Sequence, residues 1–210
     1  MSKIQGMAGK GALVILDPEN PIPKVIKFQY NPESLSRSFQ PVRPASAGAG
    51  ENDVSETFRI TNPPTETLSM EIEIDATDKL EFPDKNPNTV TMGLNPELAA
   101  LESLLYPKSA NIISNSLLAT LGIIEIIPPE GPSIFLVWGS NRVLPVSITD
   151  LRINEEAYDS NLNPIRAKVS LSLKVLNYTD LPKGHSAYSI YETHHKKIER
   201  MASLLSNLWW

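Results

Sequence analysis

Cysteine is absent from the 210-residue chain. That excludes disulfide stapling, thiol catalysis and cysteine-ligated zinc or iron–sulfur centres, and leaves the redox compartment unmarked. Histidine is scarce. The three, His185, His194 and His195, are too few and too clustered for most triad or metal schemes. Long apolar runs are missing as well: the richest stretch, Leu117 to Ile127, is short and carries Glu125, whereas a bilayer helix needs about 20 apolar residues. Residues 1–10 include Lys3, Gln5, Gly6, Gly9 and Lys10 and hold no continuous apolar segment, so a secretory signal is not expected. Nor is there a basic excess. Lys and Arg total 19 against 24 acidic residues, a net charge of -5, and nothing asks for a nucleic-acid partner. The expectation is a soluble protein made in the cytoplasm, without membrane insertion.

What is present suits a globular chain. Hydrophobic residues make up 41% and charged residues 20%, enough for a real core and too apolar for wholesale disorder. The length fits one large domain or one domain with an appendage. Eighteen prolines are roughly twice the usual ~5% share, as many short strands joined by proline-marked turns would require. Leu13–Leu16 and Val25–Tyr30 read as strands separated by a turn holding Pro18, Asn20, Pro21 and Pro23. Leu35–Pro41 suggests another extended piece, and Thr57–Ile60 a short strand. In Thr67–Ile74, Leu68, Met70, Ile72 and Ile74 alternate with Ser69, Glu71 and Glu73, which predicts one buried and one wet acidic face. Ala167–Leu176 alternates in the same way. Ile123–Ile127, Ile134–Trp138 and Val143–Ile153 complete the strands, with Gly139-Ser140-Asn141 as a tight hairpin turn and Pro145 marking an edge or a bulge.

Loops are expected over 44–52, 75–88 and 155–164. One internal helix should open at Asn95-Pro96-Glu97, with asparagine as cap and proline in the first turn. Residues 111–121 fit either a second helix or a buried loop. Tyr188, Tyr191, His195, Ile198, Met201, Leu205 and Leu208 recur at three- and four-residue spacing, predicting a C-terminal amphipathic helix of about five or six turns. The expected organisation is a flexible N-terminus over 1–10, a β domain over 11–180 and a helical extension over 181–210.

Chemistry-bearing patterns are weak. His194 and His195 are adjacent, so they point about 100° apart on a helix and read as solvated rather than metal-binding. Glu71 and Glu73 share a strand face, which an acidic wet surface explains without a hydrolase; alanine substitution there would remove the hydrolase reading. No glycine pattern cradles phosphate and no nucleophile elbow appears. No catalytic residue, metal or cofactor is expected, and a non-enzymatic role follows. Trp209 and Trp210 would be costly to leave wet, so they are candidate packing or partner contacts.

Several segments, in order, resemble contractile injection system tube-domain proteins of the baseplate-hub or tube-to-spike adaptor type. They are Phe28-Gln29-Tyr30-Asn31-Pro32-Glu33-Ser34-Leu35, Glu71-Ile72-Glu73-Ile74-Asp75-Ala76-Thr77-Asp78, Leu101-Glu102, Leu105-Tyr106-Pro107 and Val137-Trp138-Gly139. Arg142-Val143-Leu144-Pro145-Val146, Glu155-Glu156-Ala157-Tyr158-Asp159 and Asn163-Pro164-Ile165-Arg166-Ala167-Lys168-Val169 complete the series. The similarity spans roughly residues 11–195.

The resemblance implies a mainly β fold: a phage-tail-tube-like antiparallel β-barrel with one internal helix and the C-terminal amphipathic helix. It also implies a six-fold homo-oligomeric ring between the inner-tube protein and a trimeric spike, in contact with baseplate proteins, within a bacterial injection particle assembled in the cytoplasm. Members of this family often carry a peptidoglycan-binding LysM module after the tube domain. Here the helix at 185–208 stands in that place, as a docking element for baseplate neighbours. The loops at 44–55 and 79–95 would meet the next layer. Candidate subunit and partner contacts are Tyr30, Asn31, Pro32, Trp138, Arg142, Asn163, Pro164 and Arg166, with Tyr188, Tyr191, Trp209 and Trp210 from the C-terminal segment. A regular or initiating tube subunit is the alternative within the particle, and a glycan- or peptidoglycan-binding β module the alternative outside it.

Overall fold

In a computed structural model of the chain, the structure describes residues 10–18, 20–42, 60–120 and 131–206. Seven strands form one antiparallel sheet: β1 Gly11–Asp17, β2 Asn20–Lys27, β3 Leu35–Val42, β4 Asn62–Asp75, β5 Ser133–Trp138, β6 Arg142–Tyr158 and β7 Pro164–Val175. Their spatial order is β2-β1-β5-β6-β7-β4-β3. The sheet is open, with β2 and β3 as its edges and no pairing between them among the described residues. Helices α1 Thr77–Leu80, α2 Pro87–Met92, α3 Asn95–Glu102 and α4 Ser109–Thr120 fall between β4 and β5, and α5 Ser186–Ser206 follows β7.

Where each strand sits explains its composition. In β4 and β7 the alternation is literal: Leu68, Met70 and Ile72 are buried beside Ala167, Val169, Leu171 and Leu173, while Glu71 and Glu73 stay exposed. β1 and β5 do not alternate, because they are covered on both sides. Leu13, Ile15, Ile134 and Leu136 face a core shared with β4, β6, β7 and the α3 residues Leu98 and Leu101. Val14, Phe135 and Val137 face the other way, against Ala187 and Ile190 of α5. Continuous apolar runs are what a doubly covered strand needs.

Several expectations are corrected. β2 starts at Asn20, so Pro21 and Pro23 lie within it rather than in a turn; its edge position leaves prolines harmless. β6 extends to Tyr158, absorbing the front of the expected 155–164 loop. Pro145 is in an interior strand rather than an edge one. Its carbonyl accepts from Leu176 N at 2.9 Å, so its nitrogen faces the same side, where pairing with β7 begins only at Val146↔Val175. A missing N–H therefore costs no ladder bond there. The β6–β7 register also shifts between Ile148 and Asp150.

The single internal helix is replaced by four. Residues 75–95 hold α1, a 3-10 turn at Pro83–Lys85 and α2, so the expected 79–95 loop is mostly helical. Pro83 and Pro87 sit in first turns, where proline is compatible with helix. α3 begins as expected, but its cap is Leu94 without a side-chain bond, and Asn95 Nδ2 instead donates to Met92 O at 2.9 Å. α4 settles 109–120 as helix. The expected features over 1–9, 44–52, 57–59 and 123–127, and at Trp209 and Trp210, lie outside the described residues.

α5 runs 21 residues, close to the five or six turns read from its spacing. It packs against β6 and reaches past both ends of β5: Ser133 Oγ and His185 Nε2 are 3.4 Å apart near its start, and Lys197 Nζ donates to Ser140 O at 3.0 Å further on. No helix among the described residues is long and apolar enough to cross a membrane.

Candidate functional site

Most of the motif residues turn out to be knots that hold strand ends. Asn31 Oδ1 accepts from Gly11 N at 2.9 Å, fixing the β2–β3 connection to the start of β1. Gln29 Oε1 accepts from Asp75 N at 2.9 Å. Arg166 on β7 pairs with Asp75 on β4, Nε to Oδ2 at 2.8 Å. Asp159 receives Asn163 N at 2.8 Å and Asn163 Nδ2 at 2.9 Å, and Pro164, buried, takes Leu94 N at 2.8 Å on its carbonyl. Tyr30 is exposed and Pro32 half-buried on the same connection. These residues account for one another within the subunit.

The remaining candidates converge elsewhere. Trp138 and Arg142 end β5 and open β6 on the core-facing side, in register with each other. Trp138 packs on buried Phe28, ring centroids 6.5 Å apart. Tyr191 of α5 is buried and meets Tyr178 edge-on at 4.9 Å, with Tyr188 on the other side of Tyr178 at 5.1 Å. Burial, then the nearby Glu66 carboxylate, pushes the Tyr191 phenol up to about 12.

Three further residues complete this cluster: Arg37 and Glu66, which sequence reasoning passed over, and His194, which it read as solvated. Glu66 of β4 is 6% exposed and is held by Arg37 of β3, whose Nε and Nη2 both reach Oε1 at 2.8 Å. His194 is also 6% exposed, which corrects its reading as a solvated residue. The buried face of α5 runs through Ala187, Tyr191 and His194, leaving His195 half-exposed with Nδ1 3.2 Å from Tyr178 Oη. A signal for Glu66 was available. It shares the parity of Leu68, Met70 and Ile72, so carrying that alternation one step toward the N-terminus places it on the buried face.

Two cavities adjoin this cluster. One, of about 790 Å³, is walled by β3–β4 and α5, including Phe39, Pro64, Glu66, Tyr191, Ile198 and Met201. The other, of about 520 Å³, opens toward the β5–β6 turn through Trp138, Asn141 and Arg142. Arg37, His194, Ile198 and Met201 border both. Neither ring nitrogen of His194 has a hydrogen-bond partner. Burial, then Arg37, Arg142 and Lys197, lowers its pKa to about 4, so it is neutral at pH 7. Arg142 is itself pulled down by burial and by Arg37. Past the cavities the helix keeps an apolar stripe in water: Ile198 is 40%, Met201 44%, Leu204 63% and Leu205 57% exposed.

Among the described residues no three metal-ligating side chains converge. No known family model matches the chain, and no curated protein matches it either.

Proposed function

We propose that this chain is a structural, non-enzymatic part of a contractile injection particle, forming an adaptor ring between the inner tube and the spike. The observation that supports the reading is the ordered set of motif segments, whose polar residues tie strand ends together. Asp75 joins Gln29 and Arg166 from distant segments, Asp159 joins Asn163 within the β6–β7 connection, and Asn31 holds the start of β1 through Gly11 N. Segments far apart in sequence that hold one another's strand ends are what a shared fold would require.

On this reading the open sheet becomes a barrel-like sector of a six-fold ring, with edges β2 and β3 covered by neighbouring copies, a standard way to remove edge strands. The exposed side of β4, β7 and β6, with Glu71, Glu73, Lys168 and Arg152 interleaved with serines, suits a wet lumen wall that gives apolar cargo nothing to adhere to. α5, added after the sheet, favours an adaptor over a repeating tube subunit, whose two ends must match.

The test is affinity isolation of the tagged protein from its native host, followed by mass spectrometry and electron microscopy. Sheath, tube and spike polypeptides should co-purify with sheathed particles. One ring's worth of the chain per particle is expected, and stoichiometry equal to the tube protein would make it a tube subunit instead. Isolation alone, or retention on peptidoglycan, would replace the proposal with the glycan-binding alternative.

A further inference from the structure

The groove between α5 and the β3–β4 ribbon carries an excess of positive charge. Among the described residues lining it Glu66 is the one carboxylate: it pairs with Arg37 and attracts Arg142 without bonding to it, and Arg142 is half-buried and loses hydration there. Lys197 adds a further cation at the rim. Beside them His194 is 94% buried and borders both cavities, its two ring nitrogens sealed from solvent and without a partner. Three cations share one carboxylate, and a half-buried cation that lacks an ion pair of its own is costly. One ligand group relieves this: a carboxylate, which accepts from the Arg142 guanidinium.

The surroundings say what bears that carboxylate. Phe39, Pro63, Pro64, Ile198 and Met201 make the larger cavity mainly apolar. The exposed stripe then continues from Ile198 to Leu205, roughly 10 Å further along the helix at 1.5 Å per residue. A compact metabolite would leave that stripe wet, whereas a peptide segment would cover it. We propose that the α5 groove docks an apolar segment of a partner protein that presents one carboxylate, an Asp or Glu side chain or a C-terminus, to Arg142, beside His194. The site rests on the geometry of α5 and not on the particle role, so it stands or falls by a test that needs no particle.

The experiment selects binders for the purified full chain from a random twelve-residue peptide display library, then measures synthesised winners by fluorescence polarisation. Winners should carry a carboxylate flanked by apolar residues. Replacing that acid by its amide in the peptide, or Arg142→Gln in the protein, should each weaken binding about tenfold or more, as expected when a charge-assisted contact is lost. Met201→Asp on the stripe should weaken it comparably, and circular dichroism verifies that both variants are folded. On binding, the His194 side-chain resonances should move, with its titration displaced toward higher pH.

Four results would overturn the proposal. One is the absence of any selected peptide. Another is winners without a carboxylate, or winners indifferent to Arg142→Gln. A third is 4-phenylbutyrate matching the peptides' affinity, which would make the occupant a free acid. The last is a ligand-free chain in which His194 already titrates in the high range, because a carboxylate of this same chain would then fill the site.

Discussion

Arg166 and Asp75 face each other across β7 and β4 in direct register, and the guanidinium donates from Nε to Oδ2 at 2.8 Å. The other carboxylate oxygen accepts from Thr77 N at 2.7 Å and from the Thr77 hydroxyl. One acidic side chain thus ends a strand, starts α1 and ties two strands together. Burial pushes the Asp75 pKa up, but the Thr77 and Arg166 hydrogen bonds outweigh it and the net displacement is downward.

Asp75→Ala should therefore destabilise the fold by about 1–3 kcal/mol, since charge-assisted bonds to a mostly buried acceptor are lost. Arg166→Ala, at the exposed end of the pair, should cost less than Asp75→Ala. The Asp75 contribution is present above its unfolded pKa near 3.8 and fades as pH falls through the lower folded value. Urea melts of both variants at neutral and acidic pH check the order and the sign.

His194 predicts a second window of the same sign at higher pH. Its folded pKa is about 4 against an ordinary 6.5, so the unfolded chain takes up a proton first as pH falls. The charges facing it are Arg37 from β3, Arg142 from β6 and Lys197 and His195 from α5, with Glu66 of β4 balancing Arg37. Stability should decline between pH 6.5 and 4, by at most about 1.4 kcal/mol per pH unit from this one group. His194→Phe should flatten that part of the stability profile.

Gly93 has φ of 58°, and a Cβ placed there would sit 2.4 Å from the Pro164 carbonyl oxygen. That oxygen is the one accepting Leu94 N. Gly93→Ala should cost more than about 2 kcal/mol, because strain and a displaced hydrogen bond add. Thermal melts beside Gly184→Ala, where a Cβ meets nothing, separate the two contexts.

Leu162 offers the converse. It holds φ of 63° while 79% exposed, so its side chain is in a left-handed conformation with little packing in return. Leu162→Gly should stabilise the chain by up to about 1 kcal/mol, read as a rise in the denaturation midpoint.

Legibility in the sequence followed how local each constraint is. β4 and β7 could be read because a single face decides their pattern, as in Leu68-x-Met70-x-Ile72; α5 could be read as a helix from its 188, 191, 195, 198 spacing, although its buried face runs through 187, 191 and 194. β1 and β5 could be read as strands, but only the cover supplied by Ala187 and Ile190, far along the chain, explains why Leu13 to Leu16 never turns polar. The helices over 77–92 were missed because Pro83, Pro87, Asp84 and Asn86 announce turns, and short helices use the same residues at their starts. The binding cluster was the least legible. Arg37, Glu66, Arg142 and His194 come from four elements, and no local pattern predicts that three sheet strands and a C-terminal helix would bring them to one wall.

The double cover on β1 and β5 has a consequence for synthesis. Val14 is made near the start of the chain, Phe135 and Val137 two-thirds of the way along, and Ala187 and Ile190 that cover them come near the end. At the ribosome, the middle of the sheet can assemble on its core side while its opposite side still lacks α5. Until the helix emerges, that nascent intermediate exposes an apolar strip on its most hydrophobic strands, and holding chaperones should engage it there. Stalling translation just before Ser186 would capture that state, with chaperone cross-links centred on Phe135 and Val137.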